Sequence, residues 1–115
     1  MPPKTDRVYG DTSFTSLPPE LIDAAKNLAR RRNVYLYELF GDAIDDIDCR
    51  IKAGEKIDWP VVRRGSAGRG YHTRLEIQTL ERLREGAARS EVNANIFFMA
   101  ALRDYVRKHS LETHI

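Results

Sequence analysis

Arginine is the residue whose number and placement in this chain could do chemistry, and that chemistry is the binding of anions. Arg63, Arg64 and Arg69 stand among Gly65, Gly68 and Gly70. Three guanidinium groups on a backbone freed by three glycines suit contact with phosphates, or equally a soluble hinge, and residue types alone leave both readings open. The segment is no P-loop, because it lacks the GxxxxGK[ST] order and leads into a strand-like run. Arg30, Arg31 and Arg32 end a predicted helix, where cations suit the macrodipole without any ligand. Asp42, Asp45, Asp46 and Asp48 match no calcium loop and read as a solvated acidic face. His72, His109 and His114 are scattered, and Cys49 is the single cysteine. No metal pattern and no Cys/His or His/Asp/Ser constellation stands at useful spacing, so the sequence predicts neither enzyme nor cofactor nor metal.

The elements that must carry the arginines are short strands and amphipathic helices. The run Gly70-Tyr71-His72-Thr73-Arg74-Leu75 alternates like a strand, and Thr12-Ser13-Phe14-Thr15-Ser16-Leu17 is a fainter copy of it. Each is too short to stand alone, which predicts that the two pair as a ribbon. Pro18-Pro19 ends the first run and suits a helix start, after which Leu21, Ile22, Ala25, Leu28 and Ala29 lie on one face as far as about Arg31. Asn33 breaks the chain. Leu36, Leu39, Phe40, Ala43, Ile44, Ile47 and Ile51 then mark a long second helix. Beyond a linker in which Trp59 is expected to dock on the core, Ile77, Leu80, Leu83 and Ala87 mark a third. A fourth follows from about Asn93, apolar around more than half its circumference and so central.

At 115 residues, 42% of them hydrophobic, the chain can bury one core, and one cysteine permits no intramolecular disulfide. No run has membrane-spanning length and Met-Pro-Pro-Lys is not the start of a signal peptide, so a cytoplasmic protein with no membrane partner is expected. Net charge is +2, but residues 1–58 carry 9 Lys/Arg against 11 Asp/Glu and residues 59–115 carry 10 against 6. The second half is therefore the expected side for an anionic partner.

The two halves repeat. An offset of 58 lays Leu17 on Leu75, Ile22 on Leu80, Ala25 on Leu83 and Ala29 on Ala87. With one residue dropped at the turn, an offset of 57 lays Leu39 on Ile96, Phe40 on Phe97 and Ala43 on Ala100. A strand-helix-turn-helix unit cannot cover its own apolar faces, so the halves are expected to interlock as an intramolecular pseudo-dimer. The predicted organisation is a flexible arm over 1–10, one domain over 11–108 made of units 11–52 and 70–108 around a linker 53–69, and a tail 109–115.

The passage Phe14-Thr15-Ser16-Leu17-Pro18-Pro19-Glu20-Leu21 and the turn Arg89-Ser90-Glu91-Val92-Asn93-Ala94-Asn95-Ile96-Phe97 resemble the ribbon-helix-helix family of bacterial DNA-binding proteins. The resemblance covers about residues 11–52 and 70–108. It implies a mainly α fold with a two-stranded antiparallel ribbon, here as a tandem ribbon-helix-helix pseudo-dimer in one chain, although family members are usually homodimers of single units. The single-chain arrangement with its Trp-Pro and Arg-Gly linker is similar to family members that assist T-DNA transfer in plant-tumour agrobacteria.

That resemblance implies a monomer that binds double-stranded DNA through a ribbon in the major groove, with other DNA-processing proteins as further partners. The role it implies is that of an accessory factor in conjugation-like transfer or of a transcriptional regulator. The alternative is an antitoxin-like protein-interaction module, which calls for a long amphipathic C-terminal extension. With Leu17 and Leu75 taken as inward, alternation puts Thr12, Phe14 and Ser16 outward on one strand and Gly70, His72 and Arg74 on the other; the alternative is Phe14 in the core, and a one-residue slip would reverse every assignment in that strand. Arg74 can donate twice to guanine and His72 can donate to a base or a phosphate. Arg63, Arg64 and Arg69 lie beside the ribbon. Asn33, Val34 and Tyr35 in one half and Ser90, Val92 and Asn93 in the other are the implied phosphate clamps at the helix starts. An unequal ribbon implies an asymmetric DNA site, with the second half supplying more of the phosphate contacts.

Overall fold

Two prolines decide where the first strand ends. The computed structural model describes residues 9–61 and 69–112. Strand β1 (Tyr9–Leu17) stops at Pro18, an extended residue whose carbonyl accepts from the Leu21 and Ile22 amides at 3.1 and 3.3 Å. Proline at the first helical position sacrifices no needed donor, and helix α1 (Pro19–Arg32) starts there. Its buried face is Ile22, Ala25, Leu28 and Ala29. Asn33 ends it in the left-handed conformation at φ 56, and the Val34 amide returns to the Ala29 carbonyl at 3.0 Å. Helix α2 (Leu36–Lys52) buries Leu39, Phe40, Ala43, Ile44 and Ile47, as its spacing predicts.

The remaining elements are strand β2 (Arg69–Glu76), helix α3 (Ile77–Arg89) and helix α4 (Ala94–Glu112). The fold is mainly helical, with β1 and β2 paired antiparallel as its two-stranded sheet. β1 begins at Tyr9, so the predicted arm gives up Tyr9 and Gly10 to the strand; residues 1–8 lie outside the described residues. α4 likewise runs past the expected end at residue 108, to Glu112.

α4 is buried without interruption from Phe97 to Leu102 and again at Tyr105 and Val106, and it packs on α1, α2, α3 and β1. Under the ribbon, Phe14 stacks on Phe98 at 4.1 Å, Phe98 meets the Phe40 edge at 5.0 Å, and Phe40 meets the Tyr71 edge at 6.2 Å. This aromatic layer joins both strands to both long helices. Trp59 is half-buried and stacks on Phe97 at 5.8 Å, so the linker is anchored on the core as expected.

In the helices, buried positions recur 58 residues apart. Ile22 and Leu80, Ala25 and Leu83, and Ala29 and Ala87 are buried in α1 and α3. In α2 and α4 the same offset pairs Leu39 with Phe97, Phe40 with Phe98, Ala43 with Ala101, Ile44 with Leu102 and Ile47 with Tyr105, all buried. The turns match too. Glu91, at φ 58, holds the place of Asn33, and the Val92 amide donates to the Ala87 carbonyl at 3.0 Å as Val34 does to Ala29. In the second helices the expected offset of 57 therefore gives way to 58, the offset of the first helices and of the turns. Glutamate gives no sequence signal for a left-handed turn, which asparagine does give, and that hid the last residue of the turn.

Glu91 carries a steric cost that glycine would not. A side chain in the left-handed region costs roughly 1–2 kcal/mol relative to the right-handed one, and glycine is the common occupant of such helix ends. Glu91→Gly is expected to stabilise the protein by about 1 kcal/mol, read as a rise of several degrees in the midpoint of thermal unfolding. An unchanged or lowered midpoint would show that the turn carries no such strain.

Candidate nucleic-acid interface

Alternation along β2 separates its two faces. Leu75 is buried and Tyr71 and Thr73 are half-buried on the helix side, while His72 and Arg74 are exposed on the other. The register sets Asp11 opposite Arg74, Thr12 opposite Thr73, Ser13 opposite His72 and Phe14 opposite Tyr71. The outward face therefore carries Asp11, Ser13, His72 and Arg74, and Arg74 Nε donates to Asp11 Oδ1 across the strands at 3.3 Å.

Two residues expected on this face lie on the other one. Phe14 is 1% exposed and stacked on Phe98, and Thr12 is half-buried opposite Thr73. The pairing is irregular between Phe14 and Leu17, so these two inward residues are three apart, and counting back by twos from Leu17 inverts the faces of everything upstream. Gly10 confirms the inverted count, since a Cβ built there would stand 2.7 Å from Leu80 Cδ1 and 3.0 Å from Ile77 Cδ1. Asp11 and Ser13 are the outward residues that the sequence reading missed. The signal was available in Phe14, whose aromatic ring favours the core over a polar face. Arg63 and Arg64 lie outside the described residues, and Ser16, Arg69 and Gly70 are described in backbone only.

The starts of α2 and α4 are the second component. Their first turns present amide N–H groups that no intrahelical carbonyl can take, a local preference for anions. At α2, the Tyr35 amide donates to Glu38 Oε1 at 3.1 Å; at α4, Asn93 Oδ1 accepts from the Ile96 amide at 2.9 Å. Each start thus holds one half of a capping box. Tyr35 is 70% exposed and Val34 is exposed beside it, whereas Val92 packs partly on the core and Asn93 is exposed. Tyr35 stacks on Tyr37 at 5.7 Å, and Tyr37 meets the edge of Tyr9 at 5.5 Å. This aromatic row ties the start of α2 to the first residue of β1.

Three of the four aspartates on the acidic face of α2 are in ion pairs. Asp45 takes Arg82, Asp48 takes Arg89 at 3.7 Å and Lys52 at 3.0 Å, and Asp46 takes Lys108 at 3.4 Å. Hydrogen bonding to Asp45 holds the Arg82 guanidinium above its ordinary value. Burial raises the Asp42 carboxyl, and Asp45 beside it adds to the effect. For Asp104 burial acts upward, yet hydrogen bonds from Arg103 and Arg50 outweigh it and hold this carboxyl below the ordinary value. The basic surplus of the second half is thus partly neutralised inside the fold through Arg82 and Arg89. Arg30 and Arg31, in the first half, are exposed and have no ionic partner among the described residues. Among the described residues no group of three His, Cys, Asp or Glu side chains could hold a metal ion, and no helix is long and apolar enough to cross a membrane.

What the arrangement can do is donate hydrogen bonds from the outward face of a two-stranded ribbon, while helix N-termini have a local preference for anions. No family model matches this chain, and neither does any curated protein or solved structure.

Proposed function

We propose that this chain is a non-enzymatic double-stranded DNA-binding protein, a tandem ribbon-helix-helix pseudo-dimer that lays its ribbon in the major groove. The observation that carries this reading is the exposed pair His72 and Arg74 on the outward face of a two-stranded antiparallel ribbon. A major groove about 12 Å wide admits such a ribbon, and outward side chains on it can reach base edges. The correspondence of buried positions and turns at a spacing of 58 supports the pseudo-dimer. The starts of α2 and α4, with Tyr35 and Asn93 exposed, would grip phosphates on either side.

Because Ser16 and Arg69 are the residues 58 positions from Arg74 and Asp11 in the sequence, the two ends of the ribbon differ in residue type and the site read is asymmetric. The role that suits such a protein is that of an accessory factor in conjugation-like T-DNA transfer or of a transcriptional regulator in a bacterial cytoplasm. The test is a fluorescence-anisotropy titration with duplex DNA at two salt concentrations. Binding that weakens steeply with salt is expected, since each neutralised phosphate contributes about −0.9 to the slope of log K against log salt. Absence of binding at low salt would overturn the reading. A sizing column should show a monomer, and a stable dimer would place the strand pairing between chains.

A further inference from the structure

Asp11 is the anomaly on the outward face. It is 84% exposed, directly opposite Arg74, which is 68% exposed, and it sits in the surface that would approach a polyanion. An ion pair this open adds little to folding, so stability does not explain a carboxylate there. Its geometry offers another explanation. Asp11 Oδ1 engages Arg74 through Nε, the inner nitrogen of the guanidinium, and the two terminal nitrogens remain for a ligand. The second carboxylate oxygen remains as an acceptor. Base edges in the major groove offer donors only from adenine N6 and cytosine N4, and carboxylates accept from cytosine N4.

We propose that Asp11 is the specificity-determining residue of the ribbon. It positions Arg74 and accepts from the cytosine of a G·C pair whose guanine Arg74 takes through O6 and N7, and its charge disfavours every register that would bring phosphate to this point. The inference rests on the duplex-binding reading above. It turns an arginine that would hold any phosphate into one that selects, by a repulsive element as well as an attractive one. Ser13 and His72, the next outward pair, carry no negative charge and impose no such filter.

The test is selection of bound duplexes from a randomised library by the wild type and by Asp11→Ala. Binding constants follow for the wild-type winner and for a version with the enriched G·C pair replaced by A·T. The wild type should enrich one G·C pair and bind it roughly tenfold to a hundredfold better than the replacement. Asp11→Ala should lose most of that ratio while binding random duplex several-fold more tightly. If Asp11→Ala keeps the same preference, the inference is overturned while duplex binding stands; the same holds if its affinity for random duplex falls, since the carboxylate then only positions Arg74. If the wild type binds no duplex, the reading beneath it fails and this inference with it. Asp11 is exposed, so unchanged unfolding of the variant is the control on folding.

Discussion

Gly86→Leu should destabilise the protein strongly, and adding Phe97→Leu should recover much of the loss. A Cβ built on Gly86 lies 2.5 Å from Phe97 Cζ and 2.8 Å from Cε2, distances that packed atoms do not adopt, and the ring is fully buried with no room to turn aside. The missing side chain is what seats the ring. At a spacing of 58, Leu28 stands where Gly86 does and Leu39 where Phe97 does, both buried, so the proposed equivalence of the halves makes two leucines the alternative filling of this space.

Overpacking a core by even a few methylenes costs about 1–3 kcal/mol and occasionally more. Leucine on this site should exceed the upper figure, a large part of the roughly 5–15 kcal/mol that holds a domain folded. Phe97→Leu alone should cost less than the roughly 3–5 kcal/mol of a Phe→Ala change. The double variant should then be more stable than Gly86→Leu alone, with a coupling near the upper end of the 0.5–3 kcal/mol range seen for contacting residues. Urea unfolding followed by circular dichroism measures it. A double variant no more stable than Gly86→Leu would show that the halves are not equivalent in their packing.

Arg74→Ala should weaken duplex binding roughly tenfold to a hundredfold, the worth of one bidentate base contact. Arg74 is exposed and its Asp11 partner is too, so the loss should come without a matching loss of stability. Arg82→Ala is the control, an arginine of the same half already engaged by Asp45, and it should leave binding unchanged. The form of the loss also discriminates. If Arg74 reads a base, sequence preference relaxes at one position; if it holds a phosphate, affinity falls evenly across sequences and the salt slope drops by about 1.

Helical periodicity carried most of the fold. The spacing of Leu39, Phe40, Ala43, Ile44 and Ile47 found the buried face of α2, and the wide apolar surface of α4 marked it as the central helix. Prolines and the Asn33 turn located the boundaries because their backbone preferences are local and strong. The ribbon was harder. Strand faces depend on parity, and one irregularity between Phe14 and Leu17 inverts every residue before it, which periodicity cannot foresee. Asp11 went unnoticed for that reason, and because its significance lies in a partner 63 positions away. The destination of the basic surplus was equally hidden, since a count of charges does not show that Arg82 and Arg89 face aspartates of α2.

The proposal stands or falls on whether the outward face of the ribbon, with the starts of α2 and α4, is the surface that meets duplex DNA. A titration of 15N-labelled protein with a short duplex, followed by amide chemical shifts, tests it most directly. Shifts are expected to concentrate in Asp11 to Ser13, His72 to Arg74, Val34 to Leu36 and Val92 to Asn95. Shifts confined to the outer faces of α1 and α3, with the ribbon amides unmoved at saturation, would contradict it.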